Sequence, residues 1–117
     1  MKIYLPRRSL PFLAVLFMGL LSGCISQQLY YWGSYEDQLY GYFKGEDRQN
    51  QIAALKKDEE KMAASGKKAP PGFYAHLGML YAEAGGDAEA ITCFETEKSL
   101  FPEAAGFMDY LLKRYGR

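Results

Sequence analysis

Glycine and proline divide the chain beyond residue 33 into segments short enough to be single helices. The marks are Gly45, Gly66, Pro70-Pro71-Gly72, Gly85-Gly86 and Pro102. Glycine reaches the left-handed backbone that ends a helix, and proline lacks the amide that a helix interior needs. Between the marks, apolar residues recur three and four positions apart. No segment alternates β-branched and polar residues with period two. The fold class this pattern allows is all-α, with antiparallel helix pairs joined by short turns.

The spacing predicts five helices. The first starts at Tyr35 behind a capping box of Ser34 and Asp37, turns Leu39, Tyr40 and Phe43 inward, and stops at Gly45. The second runs from Arg48 to Ser65. Ile52, Leu55, Met62 and Ala63 form its apolar side, and Lys56, Lys57, Asp58, Glu60 and Lys61 its wet side. The third covers Phe73 to Ala84, with Phe73, Leu77, Leu80, Tyr81 and Ala84 inward. Asp87, at the end of the Gly85-Gly86-Asp87 turn, caps a fourth helix from Ala88 to Leu100, which buries Ala90, Ile91 and Phe94. After Pro102 a last helix, Glu103 to Tyr115, carries Phe107, Met108, Leu111 and Leu112.

The first 23 residues follow a different logic. Lys2, Arg7 and Arg8 precede an apolar run from Leu10 to Leu21, and Ser22 and Gly23 are small. This is the layout of a cleaved secretory signal peptide, too short to span a bilayer as a helix. Leu21-Ser22-Gly23-Cys24 resembles a bacterial lipobox. The resemblance implies cleavage before Cys24, diacylglycerol on its sulfur and an acyl chain such as palmitate on its nitrogen. Ile25, in place of an Asp, implies sorting to the outer membrane, facing the periplasm. The expected organisation is therefore a signal at 1–23, a lipidated tether with aromatics at 24–34 and a helical domain at 35–117. Leu29, Tyr30, Tyr31 and Trp32 of the tether either close the end of the core or sit at headgroup level.

Composition narrows the function. Of 14 Lys and Arg, cleavage removes three; the 14 Asp and Glu all stay, so the mature chain is mildly acidic. No basic surface remains for a phosphate backbone, and nucleic acid is not an expected partner. His76 is the only histidine, and no His, Cys and carboxylate spacing suits a metal. Asp58-Glu59-Glu60 reads as a solvated helix face, and nothing assembles a nucleophile with a base, so an enzyme and a cofactor are not expected. Cys93 is left without an intramolecular partner once Cys24 is lipidated. A buried, inert thiol is its simplest reading.

Residues 71–102 resemble a tetratricopeptide repeat. Tyr74, Leu77, Gly78, Tyr81, Ala90, Phe94 and Pro102 stand at its expected positions. Glu97 departs from the pattern, which wants a small residue there. One repeat length earlier, a degenerate copy keeps Tyr40 and Ala63 but has Lys44 in place of the glycine. One repeat length later, Met108, Leu111 and Tyr115 mark a capping helix. The resemblance implies two helix pairs plus that cap. It also implies a groove lined by Tyr42, by His76, Met79 and Glu83, and by Asp109, Tyr110 and Lys113.

YYWGSYEDQLYGYFK (30–44), ASGKKAPPGFYAHLGMLYAEAGGDAEAITCFETEKSLFP (64–102) and FMDYLL (107–112) are similar to a family of small bacterial outer-membrane lipoproteins of unknown function. Members of that family are commonly encoded beside a lipoprotein resembling the curli-secretion-channel component. The expected function is a membrane-anchored, protein–protein interaction or assembly accessory module for another envelope lipoprotein. The alternative is a binder of the cell wall or of a small ligand.

Overall fold

A computed structural model describes residues 2–3 and 28–116 of the chain. The expected signal peptide and Cys24 lie outside the described residues, apart from Lys2 and Ile3. The described residues form five α-helices and no strand beyond a single bridge. The helices are α1 (Tyr35–Lys44), α2 (Arg48–Ser65), α3 (Phe73–Glu83), α4 (Asp87–Leu100) and α5 (Ala105–Tyr115), with one 3-10 turn at Pro102–Ala104. Each helix packs chiefly on its neighbours in sequence. No helix among the described residues is long and apolar enough to cross a membrane.

The helix ends fall where the breakers stand. Gly45 (φ 75°) and Gly66 (φ 66°) close α1 and α2 in the left-handed conformation. The Asp47 side chain opens α2 by accepting the Asn50 amide at 2.9 Å. Two starts differ from expectation. Gly86, not Asp87, is the N-cap of α4, and Asp87 is already helical with no capping bond. Ser34 does not cap α1 either: its hydroxyl and its amide both donate to Asp58 Oδ2, at 2.6 and 2.7 Å. The Ser34 backbone (φ −95°, ψ 6°) lacks the extended conformation in which an N-cap side chain reaches the first-turn amides.

Asp58 thus leaves the wet side assigned to it and is only 3 % exposed. Its counterpart in the second helix pair is Glu97, 2 % exposed. The Glu97 carboxylate accepts the amides of Gly72 (2.6 Å), Tyr74 (3.1 Å) and Ala75 (3.3 Å) at the start of α3. Gly72 has no side chain with which to cap that helix. In each pair, therefore, the second helix sends one carboxylate to the start of the first. The partners are 24 residues apart in one pair and 25 in the other. The N-terminal amides and the positive end of the helix dipole favour negative charge there. The departure at Glu97 is thereby explained: a small residue would leave α3 uncapped.

The core lies in two parts. Ile52, Leu55, Phe73, Leu77 and Leu80 fill the space among α2, α3 and α4, and Ala90, Phe94, Met108 and Leu111 join α4 to α5. Gly78 makes the α3–α4 contact close. A Cβ there would stand 2.6 Å from the Phe94 ring and 3.0 Å from Cys93 Cβ. Cys93 is buried.

Several residues expected inside are outside. Tyr40 and Phe43 are 63 % and 79 % exposed, and Phe107 is 59 % exposed. Ala63 and Ala84 are exposed too. The end helices α1 and α5 pack on one side only, so the aromatics on their far sides find no cover. The inward residues of α1 are Tyr35 and Gly41.

Residues 29–34 belong to the helical domain rather than to a free tether. Tyr31 N donates to Lys68 O at 2.9 Å and Lys68 N to Leu29 O at 3.2 Å. Tyr31 packs on the core, Tyr30 lies against Phe101, and Trp32 stacks on Tyr35. Leu29 and Trp32 keep exposed surface.

Glu97→Ala should lower stability by about 3 kcal/mol, because it orphans three amides in a dry site. In a domain of this size, that is a fall in Tm of roughly 10 °C or more. Thermal unfolding followed by circular dichroism checks it, with the exposed Glu95→Ala as a control expected to stay within about 0.5 kcal/mol of the parent.

Candidate functional site

The tight turn between α1 and α2 builds an open cleft among the described residues. Gly41 lets the turn fold back: a Cβ at Gly41 would stand 2.6 Å from the Glu46 carboxylate. Glu46 N donates to Gly41 O at 3.0 Å, and Gln51 Nε2 to Glu46 O at 2.9 Å. This returns Arg48 toward the end of α1. Glu83, the last residue of α3, lies between the two. Tyr42 Oη donates to Glu83 Oε1 at 2.6 Å, and Arg48 Nε donates to Glu83 Oε2 at 2.8 Å. One carboxylate thereby ties three helices together. Beside it opens a cleft of about 700 Å3 lined by Tyr42, Phe43, residues 45–49, Glu83 and Ala84.

Arg48 is about half exposed, so its ion pair with Glu83 contributes at most about 1 kcal/mol. The Glu83 hydrogen bond, followed by burial, pushes the Tyr42 phenol above its ordinary value. Tyr42 therefore stays a neutral donor. His76 packs edge-on against Tyr42, with ring centres 5.3 Å apart, and lies 6.1 Å from Tyr35. It is buried, and its Nε2 has no hydrogen-bond partner. Burial holds its pKa below the ordinary value of 6.5, against an opposing pull from Glu83.

The expected groove residues separate into three groups. Tyr42, His76 and Glu83 converge. Met79 packs against the α4–α5 part of the core. Asp109 accepts Lys98 Nζ at 2.6 Å, an ion pair that links α5 to α4. Tyr110 is 57 % exposed and stacks on Phe107, and Lys113 is exposed one turn further along. Cys24 lies outside the described residues.

A second, smaller cleft of about 250 Å3 lies on α2, α3 and α4, with Lys56, Glu59, Tyr74, Tyr81 and Cys93 in its lining. Burial and nearby carboxylates push the Cys93 thiol up to about 12, so it stays protonated and poorly nucleophilic. Tyr74 is pushed up to about 12 by burial and by Glu59. Among the described residues, no three His, Cys, Asp or Glu side chains gather as a metal-ligand set.

Sequence reasoning missed Arg48, Asp58 and Glu97. Signals for each were present. Arg48 opens α2 directly after its N-cap, an end whose dipole disfavours a cation, so a nearby anion was required. Asp58 continues the stripe of Ile52, Leu55 and Met62, and Glu97 continues that of Ala90 and Phe94. A carboxylate on an apolar stripe calls for buried donors.

His76 sets a pH dependence. Its folded-state pKa is depressed, so the stability that neutral His76 contributes is complete above pH 6.5. It is lost as pH falls through the folded value. NMR titration of this single histidine should give a midpoint below 6.5. A midpoint at or above 6.5 would contradict the burial described.

No curated protein and no solved structure matches the chain. The family model described as "Domain of unknown function (DUF4810)" matches residues 29–111, which span all of α1 to α4 and most of α5. With that match covering most of its length, the chain belongs to the DUF4810 family.

Proposed function

We propose that this protein is a lipid-anchored periplasmic interaction module whose tetratricopeptide-like helix pairs hold another envelope protein. The observation that carries the binding reading is the cleft beside Glu83, where three helices bring a phenol, a guanidinium and a carboxylate to one open, polar surface. Such groups form directional bonds to a partner's backbone and side chains at little cost in fold stability. The repeat reading is supported by the seven matched positions in 71–102, the close contact at Gly78 and the matching carboxylates of the two pairs.

The anchor reading rests on Leu21-Ser22-Gly23-Cys24 behind a basic start and an apolar run. Diacylglycerol on Cys24 and an N-acyl chain hold the protein at the inner leaflet of the outer membrane, since each buried methylene contributes about 0.8 kcal/mol. The partner this reading favours is the curli-secretion-channel-like lipoprotein. A second reading, a small polar or cell-wall ligand, draws on the charged lining of the same cleft by Glu46, Asp47 and Arg48.

Two experiments separate these statements. Cys24→Ala should abolish incorporation of labelled palmitate and release the protein from membranes; retained label would remove the anchor reading. Affinity purification of the tagged protein from detergent-solubilised membranes should recover a stoichiometric envelope protein. Arg48→Ala combined with Glu83→Ala should lose it while circular dichroism stays helical. A protein recovered alone, yet retained on isolated peptidoglycan, would favour the second reading.

A further inference from the structure

The two end helices carry matching faces on which no other helix of the described chain packs; on α1, Lys44 Nζ reaches over, 4.4 Å from the centre of the Tyr40 ring. On the outer side of α1 stand Glu36, Asp37, Tyr40 and Phe43, all exposed. On the outer side of α5 stand Phe107 and Tyr110, their rings stacked at 6.4 Å and 13°, followed by the exposed Lys113 and Arg114. Each face is an aromatic pair three residues apart with a charged pair one turn beyond. The charges are acidic on α1 and basic on α5. Neither aromatic pair contributes to the cores described above, and apolar surface left in this arrangement marks a contact site.

Placed antiparallel, the two faces match position by position. Phe43 falls opposite Phe107, Tyr40 opposite Tyr110, Asp37 opposite Lys113 and Glu36 opposite Arg114. The acidic first turn of one helix meets the basic last turn of the other, and each charge already suits its own helix dipole. Pairing α1 with α1, or α5 with α5, opposes like faces and loses this two-against-two arrangement of charge. We propose that α1 of one copy of this chain docks antiparallel on α5 of the next, a head-to-tail contact that extends the run of helices from copy to copy. The surfaces differ, so the contact is heterologous and either closes into a ring or continues as a row. Helices of 10 and 11 residues bury less than a stable dimer needs. The contact is therefore weak and forms at high protein concentration, which co-expression supplies. It shares Phe43 with the rim of the cleft but uses a different face of α1, and it depends neither on the cleft's ligand nor on lipidation.

Cysteine cross-linking in the intact, full-length protein tests this. Two differently tagged copies are co-expressed, one with Asp37→Cys and the other with Lys113→Cys, and treated with a mild oxidant. A disulfide-linked dimer carrying both tags is expected, whether the protein fractionates with membranes or not. Tyr110→Asp in the second copy should reduce its yield about tenfold. Arg114→Glu in that copy should reduce it severalfold, and Glu36→Arg in the first copy should restore that loss. The chain without added cysteines sets the background. No mixed dimer above that background overturns the proposal. Same-tag dimers from either variant expressed alone, at a yield equal to the mixed dimer, also overturn it by assigning the face to a symmetric contact.

Discussion

The carboxylate of Glu97, held between the amides of Gly72, Tyr74 and Ala75, is the contact on which the rest of the domain depends. A buried charge is stable only when donors surround it, and a helix start offers three aligned amides and the positive end of a dipole. The bond runs across 25 residues, so in the folded chain the start of α3 is completed by α4. Asp58 makes the same kind of link in the first pair, through the amide and hydroxyl of Ser34.

That linkage fixes where the open surfaces lie. With the starts of α1 and α3 held by their partner helices, their C-terminal ends lie close enough for Tyr42 and Glu83 to bond at 2.6 Å. The cleft opens at that end, where the α1–α2 turn folds back. At the two ends of the run the logic reverses. α1 and α5 have packing neighbours on one side only, and their outer faces are left with aromatic surface for which the described chain has no use.

Much of the architecture was legible in the sequence because its breakers are unambiguous. α2 runs from Arg48 to Ser65 as read, since Asp47 and Gly66 leave no other ends. The extent of α3 and the stop of α1 at Gly45 follow for the same reason. The side chains were less legible. Periodicity finds the stripe on a helix, but it does not say whether the cover comes from the same chain, so Tyr40, Phe43 and Phe107 were read as core. Nor does it see a carboxylate matched by amides distant in sequence, so Asp58 shows the pattern of a wet face and Glu97 that of a departure from the repeat. That Tyr42, His76 and Glu83 lie together was legible in the sequence from the spacing of successive first helices. Arg48 was not, because it reaches the cleft from a second helix around a turn.

Amide hydrogen exchange of the folded protein, read residue by residue by NMR, tests this account most directly. The first amides of an α-helix have no partner within it and ordinarily exchange fast. If Glu97 clamps α3, the amides of Gly72, Tyr74 and Ala75 will exchange as slowly as those in the middle of α3 and α4. Exchange of those three at the rate of the first turn of α4, whose N-cap Gly86 has no side chain to cap it, would contradict it.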